Sequence, residues 1–167
     1  MTQISIIQGD ITKQRVDAIV NAANKSLLGG GGVDGAIHRA AGPRLLQECQ
    51  TLGGCQTGEA KLTNGYNLPA KYVIHTVGPI YGTEDGQEAE LLAACYKNSL
   101  SLAKLHHCQT IAFPAISTGV YGFPKEDAVK IVKKTLADFT RDSDSITEIR
   151  LVLYSEEDQR LYEKHFS

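Results

Sequence analysis

No apolar run in this sequence approaches the roughly 20 residues needed to cross a bilayer, so no membrane-spanning helix is expected. The first ten residues, MTQISIIQGD, carry neither a basic segment nor an apolar stretch of signal-peptide type, which points to a cytoplasmic protein. Cys49, Cys55, Cys95 and Cys108 show no CxxC pairing, which argues against a zinc ribbon and for reduced, packed thiols. The histidines form no HExxH or comparable ligand pattern, and no metal is assigned. Positive charge is not in excess either: the formal net charge is −2, and no basic patch with interleaved aromatics is present. Nucleic acid is therefore not an expected partner. Linkers, repeats and low-complexity tracts are missing, and long heptads are too, so a monomer is expected. What remains is ordinary for a globular protein: 167 residues, 42% hydrophobic and 22% charged, suited to a single domain over 1–167.

The residue pattern predicts alternating strands and helices. Ile4 to Gln8, Ala18 to Val20, Glu59 to Thr63, Tyr72 to Val77, Thr110 to Phe113 and Ile149 to Leu153 read as strands. Asp34 to Ala41 reads as a short helix closed by Gly42, and Pro43 opens another. Leu92, Cys95, Tyr96, Ser99, Leu100 and Ala103 fall at helical spacing, as do Ala128, Val129, Val132, Leu136 and Phe139. A final helix is expected over Glu156 to Lys164. The alternation predicts a three-layer α/β/α domain, an α/β fold in which ligands sit beyond the carboxyl ends of the strands. The unusual loops fall there: Gly9-Asp10, Asn21 to Val33, and Ser117 to Gly122.

Glycine is the abundant residue, with 16 copies, about 10% against a usual level near 7%. Gly29-Gly30-Gly31-Gly32 forms a run that costs backbone entropy, and its use is to turn N–H groups toward a ligand. Leading into a helix, such a run makes an anion site. In a linker it would be mere flexibility, but strand and helix flank it here. Ser117-Thr118-Gly119-Val120-Tyr121-Gly122 suits a second phosphate by the same logic, although strand-to-helix connections often look alike. Ile116-Ser117-Thr118-Gly119 is not GxSxG, so no nucleophile elbow is expected. Neither loop is GxGxxG or GxxxxGK[ST], so hydride transfer and nucleoside triphosphate hydrolysis are unsupported.

Several polar residues border these loops. Asn24 suits sugar hydroxyls, or an Asx turn. Asp34 could orient a water or accept its proton, or cap the following helix. Asp10 has the same two sides, a cap or an acceptor for an exocyclic base amine. Tyr154, after the last strand, offers its ring to a purine or to the edge of the core. Lys133-Lys134 reads as a solvated helix face.

Taken in order, these segments resemble the macrodomain family: Gly9-Asp10-Ile11-Thr12, the stretch Asp17 to Asn24, the stretch Gly29 to His38, His75-Thr76-Val77-Gly78-Pro79, and the stretch Pro114 to Gly122. The GGGGVDGAIH segment is similar to the MacroD subgroup, which includes hydrolases. The resemblance implies a three-layer α/β/α fold around a central mixed sheet, and a site that holds ADP-ribose without cofactor or metal. Asp10 would bind the adenine amine with Ile11 beside it, and Tyr154 would present its ring to the base. Gly31, Gly32 and Val33 would line the diphosphate on one side, with Ser117, Thr118, Gly119, Val120 and Tyr121 on the other. Asn24 would contact the distal ribose, and Asp34 would act with a water near its C1″, assisted by a ligand phosphate. The implied substrates are O-acetyl-ADP-ribose, which would be deacylated, and proteins carrying mono-ADP-ribose on acidic side chains. Two alternatives use the same pocket: a binding module without turnover, and a phosphatase for ADP-ribose 1″-phosphate.

Overall fold

The computed structural model describes residues 1–167 and contains six strands and five α-helices interspersed along the chain, each at a segment the residue pattern predicts. In chain order they are β1 (Gln3–Gln8), β2 (Ala18–Ala23), α1 (Gly32–Ala41), α2 (Pro43–Gln50), β3 (Ala60–Asn64), β4 (Tyr72–Val77), α3 (Glu88–Leu105), β5 (Thr110–Phe113), α4 (Lys125–Asp142), β6 (Glu148–Leu153) and α5 (Glu156–Phe166). The strands form one sheet in the order β1-β6-β5-β2-β4-β3. Every neighbouring pair is parallel except β3 and β4, which run antiparallel, so the sheet is mixed.

Successive side chains of a strand point to opposite faces, and the two cores follow that alternation. Ala18 and Val20 of β2, Ile74 of β4, and Ile149, Leu151 and Leu153 of β6 pack under α3, α4 and α5. Ile19, Val73, Val77 and Val152 turn the other way and pack under α1 and α2, against Ile37, Ala41, Leu45 and Cys49. The result is a three-layer α/β/α arrangement. Central strands covered on both faces read as near-continuous apolar runs, which is why β5 is legible as Thr-Ile-Ala-Phe. No helix is long and apolar enough to cross a membrane.

Two boundaries differ from expectation in ways that matter. The second strand does not stop at Val20 but continues through Asn21 to Ala23, paired with His75, Thr76 and Val77 of β4. Asn21 looks like a strand terminator because its amide needs partners; here β4 and α1 supply acceptors for its NH2 group inside the protein. Helix α1 begins at Gly32, not Asp34, so the last glycine of the run and Val33 form its first turn. The capping reading of Asp34 is thereby corrected. Gly31 occupies the cap position with no side-chain hydrogen bond, and Asp34 is the third helical residue.

Candidate active site

The carboxyl ends of the five parallel strands share one edge of the sheet, and the loops leaving them wall a cleft made of two adjoining hollows. The first, of about 510 Å³, lies between the Gly30–Asp34 segment and the Ala115–Tyr121 segment, with Asn24 and Gly78 at its floor. The second, of about 650 Å³, is bordered by Asp10, Ile11, Arg39, Val152 and Tyr154. Gly32, Val33, Ala115 and Asp158 belong to both and mark the joint. Every candidate binding or catalytic residue assigned by the resemblance lines this cleft. Asp34, Asn24, Gly31, Ser117, Thr118, Gly119, Val120 and Tyr121 lie in the first hollow, Asp10, Ile11 and Tyr154 in the second, and Gly32 and Val33 in both.

The glycine run has the electrostatics of an anion site. Gly32, Val33 and Asp34 open α1, and their N–H groups have no carbonyl partner within the chain. Gly32 and Val33 line the joint of the two hollows, so the positive end of the helix lies there. On the opposite wall, Phe123 N–H donates to Ser117 O (2.9 Å) and Gly122 N–H to Gly119 O (3.0 Å), closing a compact turn. The N–H groups of Thr118, Gly119, Val120 and Tyr121 are unpaired within it. Ser117 sits in the left-handed region, at φ 67°, and its Oγ is buried without a partner. Two rows of unpaired donors facing one gap suit an anionic ligand rather than a cation.

Gly78, where β4 ends, allows this turn to seat. A Cβ there would collide with Ser117 Oγ and lie 2.7 Å from Ile116 Cγ2. Gly78→Ala is therefore expected to destabilise the protein by about 1–3 kcal/mol, as overpacking does. Urea unfolding at neutral pH measures it, and unchanged stability would mean that the 117–122 turn yields freely.

Asp10 and Asn24 each take the local capping or turn role read from sequence, and each also lines the cleft. Asp10 Oδ1 accepts from Thr12 N (2.9 Å) and Thr12 Oγ1 (2.7 Å), capping a short 3-10 turn over Ile11–Lys13. The Thr12 hydroxyl, with its backbone N–H and Lys13, holds the Asp10 carboxyl below the usual carboxylate range. Asn24 Oδ1 accepts from Leu27 N–H (3.2 Å) and the Ser26 hydroxyl (2.6 Å), and Nδ2 donates to Gly29 O (3.0 Å). It thus forms the Asx turn while still facing the first hollow. Tyr154 is 93% exposed at the rim of the second hollow, which overturns the core-edge reading of its ring. Ile11, in the lining of the same hollow, is buried.

Asp34 is only 4% exposed and joins a buried polar chain. Asn21 Nδ2 donates to Asp34 Oδ1 (2.8 Å) and lies 3.1 Å from His75 Nδ1. His75 Nε2 contacts Thr63 Oγ1 at 2.9 Å. His38 Nε2, one helical turn beyond Asp34, stands 3.5 Å from Asp34 Oδ1. The second carboxylate oxygen turns outward: a Cβ on Gly30 would be 3.1 Å from Asp34 Oδ2 and 3.3 Å from Asn24 Nδ2. Asp34 Oδ2 and the Asn24 amide therefore both lie close to Gly30, on the wall of the first hollow.

Burial, with a smaller contribution from His38, pushes His75 down to about 3, so it is neutral at physiological pH. In the unfolded chain a histidine takes its proton near 6.5. Between those values the unfolded state binds more protons, so stability falls as pH drops from about 6.5 toward 3. Comparing urea unfolding at pH 7 and pH 5, the wild type should lose about 2 kcal/mol more than His75→Asn. Equal losses in the two proteins would mean that His75 titrates normally in the fold.

Sequence reasoning missed four participants. Asn21 and His75 lie inside quoted motifs, but their partnership needs the register of β2 on β4, and Thr63 needs that of β3 on β4. Lys125, the one cation lining the first hollow, pairs with Asp158 at 2.8 Å and ties the start of α4 to that of α5. A pair 33 positions apart in the chain carries no local signal.

Comparison with known proteins agrees with this geometry. The Macro domain family model matches residues 20–132. A macro domain-containing protein of Chlorobaculum tepidum is 59% identical over 161 residues, covering 96% of this chain and 94% of that one. Human ADP-ribose glycohydrolase MACROD2 is 55% identical over 97% of this chain, which corresponds to 39% of that longer protein. A crystal structure of the Trypanosoma brucei macrodomain in complex with ADP-ribose superposes with a TM-score of 0.93 at 45% identity, covering 99% of this chain and 69% of that chain.

Proposed function

The chain belongs to the Macro domain family, and from that premise we propose that it is an ADP-ribose-binding hydrolase that uses a positioned water. The observation that carries this reading is the placing of Asp34 Oδ2 and the Asn24 amide on either side of Gly30, in a cleft walled by two rows of free N–H donors. The name of the human relative and the ligand of the trypanosomal structure support the same substrate. On this reading the second hollow takes the adenosine, with Asp10 accepting from the adenine amine, Ile11 beneath the base and Tyr154 against it. The diphosphate crosses the joint between Gly31, Gly32 and Val33 on one side and Ser117, Thr118, Gly119, Val120 and Tyr121 on the other. Asn24 holds the distal ribose.

Asp34 orients the attacking water near C1″, with a ligand phosphate sharing in its activation. In O-acetyl-ADP-ribose the water adds to the acetyl carbonyl, the acyl carbon–oxygen bond breaks, and the ribose oxygen leaves as a hydroxyl, giving acetate and ADP-ribose. In a protein ADP-ribosylated on an acidic side chain, water adds across the bond at C1″ and the side-chain carboxylate leaves. Both reactions yield ADP-ribose, and both depend on holding the distal ribose still, a form of positioning that lowers barriers by about 7–11 kcal/mol at best. We further read residues 1–167 as a single macrodomain that works as a monomer in the cytoplasm, a setting that fits four buried, unbridged cysteines.

Titration calorimetry tests the binding half of the proposal. ADP-ribose should bind at a single site, with AMP and ribose 5-phosphate each binding at least about tenfold more weakly because each fills one hollow. No heat with ADP-ribose would mean that the glycine loops do not hold a diphosphate.

A further inference from the structure

We propose that His75 is a positioning residue for this reaction: by accepting from Asn21 at Nδ1 it locks the Asn21 amide onto Asp34 Oδ1 and leaves Asp34 Oδ2 free for the water. The inference rests on the reading of Asp34 given above, and the observations behind it are geometric.

Asn21 Nδ2 has two hydrogens and two acceptors in reach, Asp34 Oδ1 at 2.8 Å and His75 Nδ1 at 3.1 Å. Both hydrogens are thereby committed, and Asn21 Oδ1 is left buried with no partner. A buried carbonyl without a partner is costly, so something must hold the amide in that orientation. Rotating the amide would place Oδ1 against a carboxylate oxygen and a ring-nitrogen lone pair, which repels on both contacts. The ring nitrogen does this only if Nδ1 carries no proton. Thr63 Oγ1, 2.9 Å from His75 Nε2, is placed to accept the Nε2 proton in that tautomer. Cys49 Sγ, 3.8 Å from the same nitrogen, is the other group there.

The arrangement acts on Asp34 through its two oxygens. Oδ1 is held from inside by Asn21, with His38 Nε2 3.5 Å away. Oδ2 faces Gly30 and Asn24 at the cleft. With His75 at 0% exposure and neutral, the ring behind Asn21 adds no positive charge that would weaken the carboxylate as an acceptor for water. A free amide at Asn21 would let the Asp34 side chain rotate, and the water would be held by either oxygen or by none.

Two measurements test this. Long-range proton–nitrogen NMR spectra of the wild type at neutral pH should show His75 protonated at Nε2 and bare at Nδ1; a proton on Nδ1 overturns the proposal, whatever any variant does. In turnover, His75→Leu should lower kcat about tenfold or more while leaving the ADP-ribose Kd within about threefold. His75→Asn, whose Oδ1 can accept where Nδ1 did, should restore kcat to within about threefold of wild type. Unchanged kcat in the leucine variant overturns the proposal. So does an asparagine variant no better than leucine, or a parallel loss of kcat, affinity and melting temperature. If the leucine variant does not fold, the tautomer and the asparagine variant decide. A wild-type protein that binds without turnover would instead overturn the hydrolase reading, leaving the tautomer to report on the network itself.

Discussion

Asp34→Ala is expected to reduce turnover by at least about 100-fold while leaving ADP-ribose affinity within about tenfold, or about 1.4 kcal/mol. The split follows from where the side chain sits. Its Oδ2 faces the end of the first hollow beside Asn24, while the two walls of N–H donors that would hold the diphosphate lie on other residues. Removing the carboxylate also leaves one of the two Asn21 Nδ2 hydrogens without its acceptor. A buried donor left unpaired costs about 1–3 kcal/mol, so the variant should unfold at lower urea while remaining folded at neutral pH. Asp34→Asn separates the two effects, because its amide can keep an oxygen toward Asn21 yet cannot accept a proton from water. It should fold nearly as well as the wild type and turn over nearly as poorly as the alanine variant. Wild-type turnover in either variant would remove Asp34 from the mechanism.

Gly32→Glu should abolish tight binding instead, lowering ADP-ribose affinity by about 100-fold or more, near 2.7 kcal/mol, as calorimetry would measure it. Gly32 lies where the two hollows join, and a Cβ built on it meets nothing within 4 Å. The glutamate side chain therefore has room, and the fold does not exclude it. Its backbone, at φ 56°, costs a residue with a Cβ about 1–2 kcal/mol. The carboxylate then stands at the start of α1, where the helix dipole welcomes it, in the place assigned to the diphosphate. Gly32→Ala bears the same backbone strain without the charge, so it should keep most of the affinity. A glutamate variant that still binds tightly would place the diphosphate somewhere else.

These expectations draw on features that sequence conveyed unevenly. The long helices α3 and α4 were legible because their apolar residues recur at helical spacing and bury one face each. The cleft was legible because glycines cluster in two loops that leave parallel strands, and backbone N–H groups need no side-chain signature. Asp34 was harder. Cap preferences describe helix starts open to water, whereas α1 starts from glycine and turns its first carboxylate into the protein. Asn21 looked like the end of a strand because polarity was visible and its buried partners were not. Those partners come from β4, through a strand register that becomes visible only when the sheet is assembled. Tyr154 could have packed either way on sequence grounds, and the short approach from β6 to α5 leaves its ring outside.

The most direct test of the account is product analysis after the wild-type protein is incubated with O-acetyl-ADP-ribose and, separately, with a protein mono-ADP-ribosylated on acidic side chains. The account predicts free ADP-ribose from at least one of them, at a rate that Asp34→Ala removes. Intact substrate in both mixtures, from a protein that binds ADP-ribose, would contradict it and make this cleft a reader of ADP-ribose rather than a hydrolase.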